Sequence, residues 1–319
     1  MATSTAALLA GLAMLIAGAE LVVRQGTALA ARFGVSPLVV GMTVVSLGTS
    51  LPELAIGINA AGQGNAGLAV GNIVGTNLVN ILLILGLSAL IRPVVFERRT
   101  LRFDLPIMAG AAVLLLVLAL DGSLTNTDGV WLCVYGAAYL GLMVVHTRRQ
   151  AAASRGAPAA TTSARARPVG PQVLLLVAGL AVIVIGSEFL VDGAVRIARI
   201  WGASDTIIGL TVVAIGTSAP ELVTTVVSTF RGDRSLALGN LLGSSVFNIA
   251  LILGPTILAA PGPVPVPDDV LALDMVLMVA TAVVCVPAFF TRRRLSRVEG
   301  GAFVAAYLVY TAWLLTTRL

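Results

Sequence analysis

The sequence predicts an all-α polytopic membrane protein of ten transmembrane helices, arranged as two inverted five-helix repeats, on three observations. First, apolar residues make up 58% of the chain and charged residues 11%, with a mean hydropathy of +1.00, far outside the soluble range. At roughly 20 apolar residues per span, the 319 residues hold about ten helices and little else. Second, residues 41–54, Gly-Met-Thr-Val-Val-Ser-Leu-Gly-Thr-Ser-Leu-Pro-Glu-Leu, return at 209–222 as Gly-Leu-Thr-Val-Val-Ala-Ile-Gly-Thr-Ser-Ala-Pro-Glu-Leu, identical at ten of fourteen positions with an offset of 168. Third, the arginines are one-sided. With loops assigned alternately to the two faces of ten spans, 17 of the 20 basic residues fall on one face, and Arg196, Arg199 and Arg318 on the other. Short basic loops stay in the cytoplasm, so both termini are expected outside. An odd number of spans per repeat then turns the second repeat upside down.

In chain order, the first span covers 5–23 and ends near Glu20 and Arg24, which are spaced for a helical ion pair. It has no basic leader and recurs near 173–191, so it is expected to be structure rather than a targeting segment. The second span, about 38–61, holds the Thr-Ser-Leu-Pro-Glu insert, and the third runs from about 67 to 91. Spans at 104–120 and 130–146 complete a first repeat, residues 1–146. Residues 147–171, rich in Ala, Pro, Ser, Thr and Arg and without periodicity, read as a flexible, basic cytoplasmic linker. The second repeat, 172–319, has spans near 173–191, 207–228, 236–259, 270–290 and 302–316. The duplication reaches past the opening motif: 67–86 and 235–254 agree at eleven of twenty positions.

A carboxylate inside a membrane-length segment is costly and therefore a functional candidate. Glu53 and Glu221 are two, symmetry-related, each beside a proline. Proline has no N–H and crowds the carbonyl four residues back, so Pro52 and Pro220 should break their helices and free backbone oxygens near Gly48 and Thr49, and near Gly216 and Thr217. Thr49 and Glu53 then share one helical face. The third span adds Asn72, Thr76 and Asn80 at four-residue spacing, and its copy adds Asn240, Ser244 and Asn248. This donor set is all oxygen, which suits hard cations, and two carboxylates balance one divalent ion, calcium before magnesium. Soft ligands for zinc or copper are missing from the motif.

The other polar residues point elsewhere. Cys133 and Cys285 lie in apolar runs as small hydrophobes, and His146 sits at a span end beside a basic loop. Asp104, Asp121, Asp128, Asp268 and Asp269 lie in or beside loops, with Asp274 just inside a span, so solvated or interfacial positions are expected for all. The formal charge of +5 resides in short loops and does not indicate a nucleic-acid partner.

The paired Gly-Thr-Ser-Leu-Pro-Glu (48–53) and Gly-Thr-Ser-Ala-Pro-Glu (216–221), with the Gly-Asn-x-x-Gly-[Ser/Thr]-x-x-x-Asn segments 71–80 and 239–248, resemble the two repeats of the calcium/cation antiporter superfamily, closest to its prokaryotic sodium/calcium exchanger branch. The resemblance spans essentially the whole chain. It implies a calcium site at Glu53 and Glu221 with backbone oxygens of Thr49 and Thr217. It implies flanking sodium sites at Ser50, Thr76, Ser218 and Ser244, with carbonyls of Ser46 and Ala214, and it places Asn80 and Asn248 around the centre. Some members carry Asp where Asn248 stands; here the core reads as two carboxylates and two amides.

The expected function is secondary antiport of calcium against sodium by alternating access at a midplane site, in the inner membrane, with no cofactor and a monomer sufficient for transport. A proton-coupled calcium antiporter is the alternative within the class, and a cation channel the alternative outside it. An enzyme is not expected, because no nucleophile–base pair lies near the motif.

Overall fold

In the computed structural model, residues 1–64, 66–154, 169–202 and 214–317 are described, and nearly all of the regular structure is helical. The first half contains α1 (Ala2–Phe33), α2 (Pro37–Thr49), α3 (Leu51–Gly62), α4 (Gly67–Ile91), α5 (Thr100–Leu118) and α6 (Asn126–Ser154). The second contains α7 (Val169–Ile200), α8 (Ala214–Thr217), α9 (Ala219–Arg231), α10 (Arg234–Ala259), α11 (Val276–Arg292) and α12 (Arg297–Thr317). Among the described residues seven helices are long and apolar enough to cross a membrane, or eight if the bent pair α2 and α3 is one span. The fold is therefore an all-α multi-pass membrane fold. The residues expected to open the seventh span, 207–213, and most of the expected linker lie outside the described residues. The described start of that linker, up to Ser154, continues α6 as helix.

The proline break forms where the sequence places it. Ser50 leaves the helical region at φ −87 and ψ 9, Pro52 enters the first turn of α3, and α2 and α3 meet at a 42° bend. Ser218 has nearly the same geometry, φ −85 and ψ 5, ahead of Pro220 in α9. Wide π-helical turns interrupt α4 at Val79–Leu85 and α10 at Asn248–Leu253, so Asn80 and Asn248 both sit in the first residues of such a turn. Turns of this kind recur at functional sites because they re-aim side chains.

Glycines set the closest approaches. A Cβ on Gly11 would lie 2.6 Å from the Gly186 carbonyl oxygen, and one on Gly18 would lie 2.7 Å from that of Gly179. Further along, one on Gly193 would lie 2.8 Å from the Ser4 carbonyl oxygen, so α1 and α7 run antiparallel in near backbone contact. Gly11 and Gly18 are themselves the mates of Gly179 and Gly186 at the 168 offset. Gly243 brings α10 against α2 in the same way: a Cβ there would meet the Ser46 hydroxyl oxygen at 2.3 Å.

Two short ribbons close the ends. β1 (Val94–Val95) pairs antiparallel with β4 (Arg294–Leu295), and β2 (Ser123–Leu124) with β3 (Val264–Pro265). Because α5 runs from β1 to β2, the ribbons lie at opposite ends of the molecule, about 28 Å apart at 1.5 Å per residue. Each is extended by one bond, Phe96 N–H to the Arg293 carbonyl and Val266 N–H to the Gly122 carbonyl, both at 2.9 Å. Gly122 has φ 83 and its counterpart Arg293 has φ 51, the one non-glycine residue at positive φ among the described residues. That conformation costs a side-chain-bearing residue about 1–2 kcal/mol.

Two acids correct the sequence reading. Asp104, expected in or beside a loop, is 0% exposed, and Asp274 is 6% exposed and accepts the Tyr310 hydroxyl at 2.9 Å. Both lie in π-helical turns, Thr100–Asp104 and Val270–Met275, which draw the first turn of α5 and the approach to α11 into the core.

Candidate cation site

The broken helices deliver the carboxylates to the centre. Glu53 stands in the first turn of α3 and Glu221 in the first turn of α9, and both are 0% exposed. Each helix start presents its positive dipole end to a carboxylate. Glu221 lies close enough to Glu53 for their charges to repel.

The halves interlock. Ser50, of the first copy, donates its hydroxyl to Glu221 Oε1 at 3.2 Å, and Ser244 donates to the same oxygen at 3.4 Å. Thr49 donates to Asn240 Oδ1 at 3.2 Å, and Asn240 Nδ2 donates to Thr225 Oγ1 at 3.4 Å. The stretch that carries Asn248 packs on α3, and the stretch that carries Asn80 packs on α9. Each glutamate helix thus faces the asparagine of the other repeat.

Several of these buried atoms make no hydrogen bond among the described residues. They are both oxygens of Glu53, Oε2 of Glu221, Oγ of Ser218, and the side-chain oxygen and nitrogen of Asn80 and of Asn248. An unpartnered buried polar group is expensive, and a carboxylate more so, unless something pairs with it. Oxygens left in this state around two carboxylates are what a desolvated hard cation requires.

The remaining expected residues divide. Thr76 is buried at 2% exposure on α4, and Thr217 at 7% in α8. The Ser46 carbonyl, which the resemblance assigns to a sodium site, accepts the Ser50 N–H at 3.0 Å and the Thr49 hydroxyl at 3.3 Å. The Ser46 hydroxyl bonds the Gly41 carbonyl at 2.7 Å and the Asn240 carbonyl at 2.8 Å, so Ser46 fastens α2 to α10. Ala214 begins α8, next to residues outside the described set.

Sequence reasoning missed one group. Thr224, Thr225, Ser228 and Thr229 are all at or below 1% exposure and continue the buried face of α9 beyond Glu221. The signal was present as polar residues three, four, seven and eight positions after Glu221, one stripe of a helix. Thr229 shares a 2.8 Å hydrogen bond with Ser88, while the hydroxyls of Thr224 and Ser228 have no partner among the described residues. Glu20 pairs with Arg24 as expected, at 3.2 Å, and is also bonded by Arg231 of α9.

With this geometry in place, comparison with known proteins is informative. A model of the sodium/calcium exchanger protein family matches the chain twice, over residues 3–148 and 171–316. The chain is 35% identical over 319 residues to the putative antiporter CaxA of Alkalimonas amylolytica, covering 97% of this chain and 98% of that protein. It is 32% identical over 337 residues to the sodium/calcium exchanger MaX1 of Methanosarcina acetivorans, covering 95% and 96%. The inner membrane protein YrbG of Escherichia coli is 38% identical over 267 residues, 82% of each chain. A solved structure of the sodium-calcium exchanger NCX_Mj, soaked with sodium and calcium, superposes with a TM-score of 0.83 at 30% identity, covering 97% of both chains.

Proposed function

This chain belongs to the sodium/calcium exchanger protein family, and from that premise we propose that it exchanges calcium for sodium by alternating access at one midplane site. The observation that carries the reading is the crosswise cluster of unpartnered oxygens around Glu53 and Glu221. In this reading both carboxylates, with backbone oxygens of Thr49 and Thr217, hold calcium. Ser50, Thr76, Ser218 and Ser244, with carbonyls of Ser46 and Ala214, serve sodium. Asn80 and Asn248 supply neutral oxygens between the two. One chain contributes both halves, so a monomer suffices.

Antiport follows from the charge. Two ionised carboxylates left alone in a low-dielectric interior repel each other and lack solvation, so the empty carrier is the unfavourable one to rearrange. Loading with one divalent or with monovalent cations removes the penalty, and the two ions compete for the same oxygens. The antiparallel Gly seam of α1 and α7, and the swapped pairing of β1 with β4 and β2 with β3, support an arrangement of ten spans in two inverted repeats. Inverted repeats of this kind give a carrier two related states that open to opposite sides. The arginine distribution supports an inner-membrane orientation with both termini outside and the 147–171 segment in the cytoplasm.

The deciding measurement is radiolabelled calcium uptake into proteoliposomes, first against an imposed sodium gradient and then against a pH gradient alone. Uptake driven by sodium is the expected result. Uptake driven by pH alone would assign proton coupling, and calcium flux without any counter-ion would assign a channel.

A further inference from the structure

The two ribbons are counterparts in shape and opposites in charge. At offsets of 170 and 171, β1 corresponds to β3 and β4 to β2. The β2·β3 end carries Asp121, Gly122, Ser123, Asp268 and Asp269 where the β1·β4 end carries Arg292, Arg293, Arg294, Arg98 and Arg99. A general excess of cytoplasmic arginine does not account for where these stand. Arg293 takes the positive-φ position that its counterpart fills with glycine. Arg98 and Arg99 directly precede α5, and Arg297 is the first residue of α12, so cationic side chains crowd the positive ends of two helices. At the other ribbon, Asp268 and Asp269 follow the helix dipole instead. A bound anion would offset the positive charge gathered at these helix starts.

The surroundings indicate which anion. Arg92, Arg98, Arg293 and Arg294 are exposed around the ribbon, and Arg297 reaches the Ile91 carbonyl at 3.2 Å. Arg99 turns inward to the charge of Asp104. Three acids stand at or beside this end: Glu97, Glu299, and Asp233 on the turn whose Arg234 donates to the Pro93 carbonyl at 3.5 Å. Glu299 already accepts the Ser296 N–H and hydroxyl, each at 2.7 Å. Between the arginines stand bare apolar side chains, Val95 at 56% exposure and Val298 at 83%. Exposed valines beside exposed guanidinium groups match the boundary between acyl chains and headgroups, and not a site for a small anion in water.

We propose that the β1·β4 end is a binding site for anionic phospholipid headgroups, with Arg98, Arg293 and Arg294 holding the phosphodiester. The reading rests on the orientation proposed above, which sets this end in the cytoplasmic leaflet. Arg293 keeps its strained backbone because the charge is needed where the ribbon turns.

The test uses purified full-length protein melted in phosphatidylcholine nanodiscs, in discs containing phosphatidylglycerol, and in phosphatidylcholine discs with inorganic phosphate. Phosphatidylglycerol is expected to raise Tm by several degrees, and inorganic phosphate to leave it in place. Arg293→Gly is expected to raise Tm by about 2–4 °C in phosphatidylcholine, since the turn relaxes, and to lose most of the phosphatidylglycerol increment. The double variant R98Q/R294Q should lose the increment without the gain, and carries the test if Arg293→Gly folds poorly. An increment kept by both variants, or matched by inorganic phosphate, overturns the proposal. None of these readings depends on transport, so a failure of sodium-driven uptake leaves them intact.

Discussion

The two glutamate-bearing helices begin alike and continue differently. α3 and α9 share the Ser-x-Pro-Glu start, the break at the serine and full burial of the carboxylate. Beyond that first turn the buried face of α3 is Gly57, Ala60 and Ala61, whereas that of α9 is Thr224, Thr225, Ser228 and Thr229. The carboxylates differ too: Glu221 receives hydroxyls from Ser50 and Ser244, while neither oxygen of Glu53 has a partner among the described residues. The two copies have kept the head of the motif alike and let the tail diverge from small apolar residues to hydroxyls. Near-identical sequence therefore supports unequal environments within one conformation. A carrier built from inverted repeats requires that inequality, since each state must close one half and open the other.

The largest effect that tests this comparison comes from neutralising each carboxylate. Glu53→Gln and Glu221→Gln should each abolish sodium-driven calcium uptake, because half of the charge that balances calcium is gone. Their stabilities should part. In ion-free buffer Glu53→Gln should raise the melting temperature more than Glu221→Gln, because an unpartnered carboxylate is costlier to bury than an amide and Glu221 already has two donors. Exchange retained in both variants would remove the site; equal melting shifts would remove the asymmetry.

A smaller contrast lies in the serines at the break. Ser50→Ala takes a hydroxyl from a charged acceptor, a bond of about 1.5–3 kcal/mol. Ser218→Ala takes one that bonds nothing among the described residues. Chemical denaturation of ion-free protein should show a clear loss for the first and little or none for the second. Equal losses would mean that Ser218 reaches Glu53 in solution as Ser50 reaches Glu221.

Much of this was legible in the residues themselves, and the reasons for the remainder are physical. Pro52 and Pro220 announce their breaks because proline lacks the N–H that a helix needs, whatever surrounds it. The donor set around Glu53 and Glu221 could be read because polar residues inside an apolar span stand out. The unequal bonding of Ser50 and Ser218 could not be read, because both copies spell Thr-Ser and the difference arises from packing. Asp104 was misplaced for a related reason: beside Arg98, Arg99 and Arg102 it looks like a loop acid, and only the π-helical turn Thr100–Asp104 carries it inward. The seam of Gly11 and Gly18 with Gly186 and Gly179 repeats at the motif's own offset, but glycine in an apolar span carries no mark of its partner until the helices meet.

The smallest effect concerns the tail of α9, where two neighbouring hydroxyls should respond with opposite sign. Thr229 holds Ser88 at 2.8 Å and the Thr225 carbonyl at 2.7 Å, so Thr229→Ala strands Ser88 in the interior and should cost about 1–3 kcal/mol in denaturant. Ser228 is equally buried, yet its hydroxyl bonds nothing among the described residues. Ser228→Ala should therefore leave stability unchanged or raise it slightly. Ser228 stands seven positions after Glu221, on the same helix face as the proposed site. Calcium uptake by Ser228→Ala should then be slower by a few-fold although the fold is no weaker. A stability loss equal to that of Thr229→Ala would make Ser228 a packing residue like its neighbour, and the tail of α9 would differ from that of α3 in composition only.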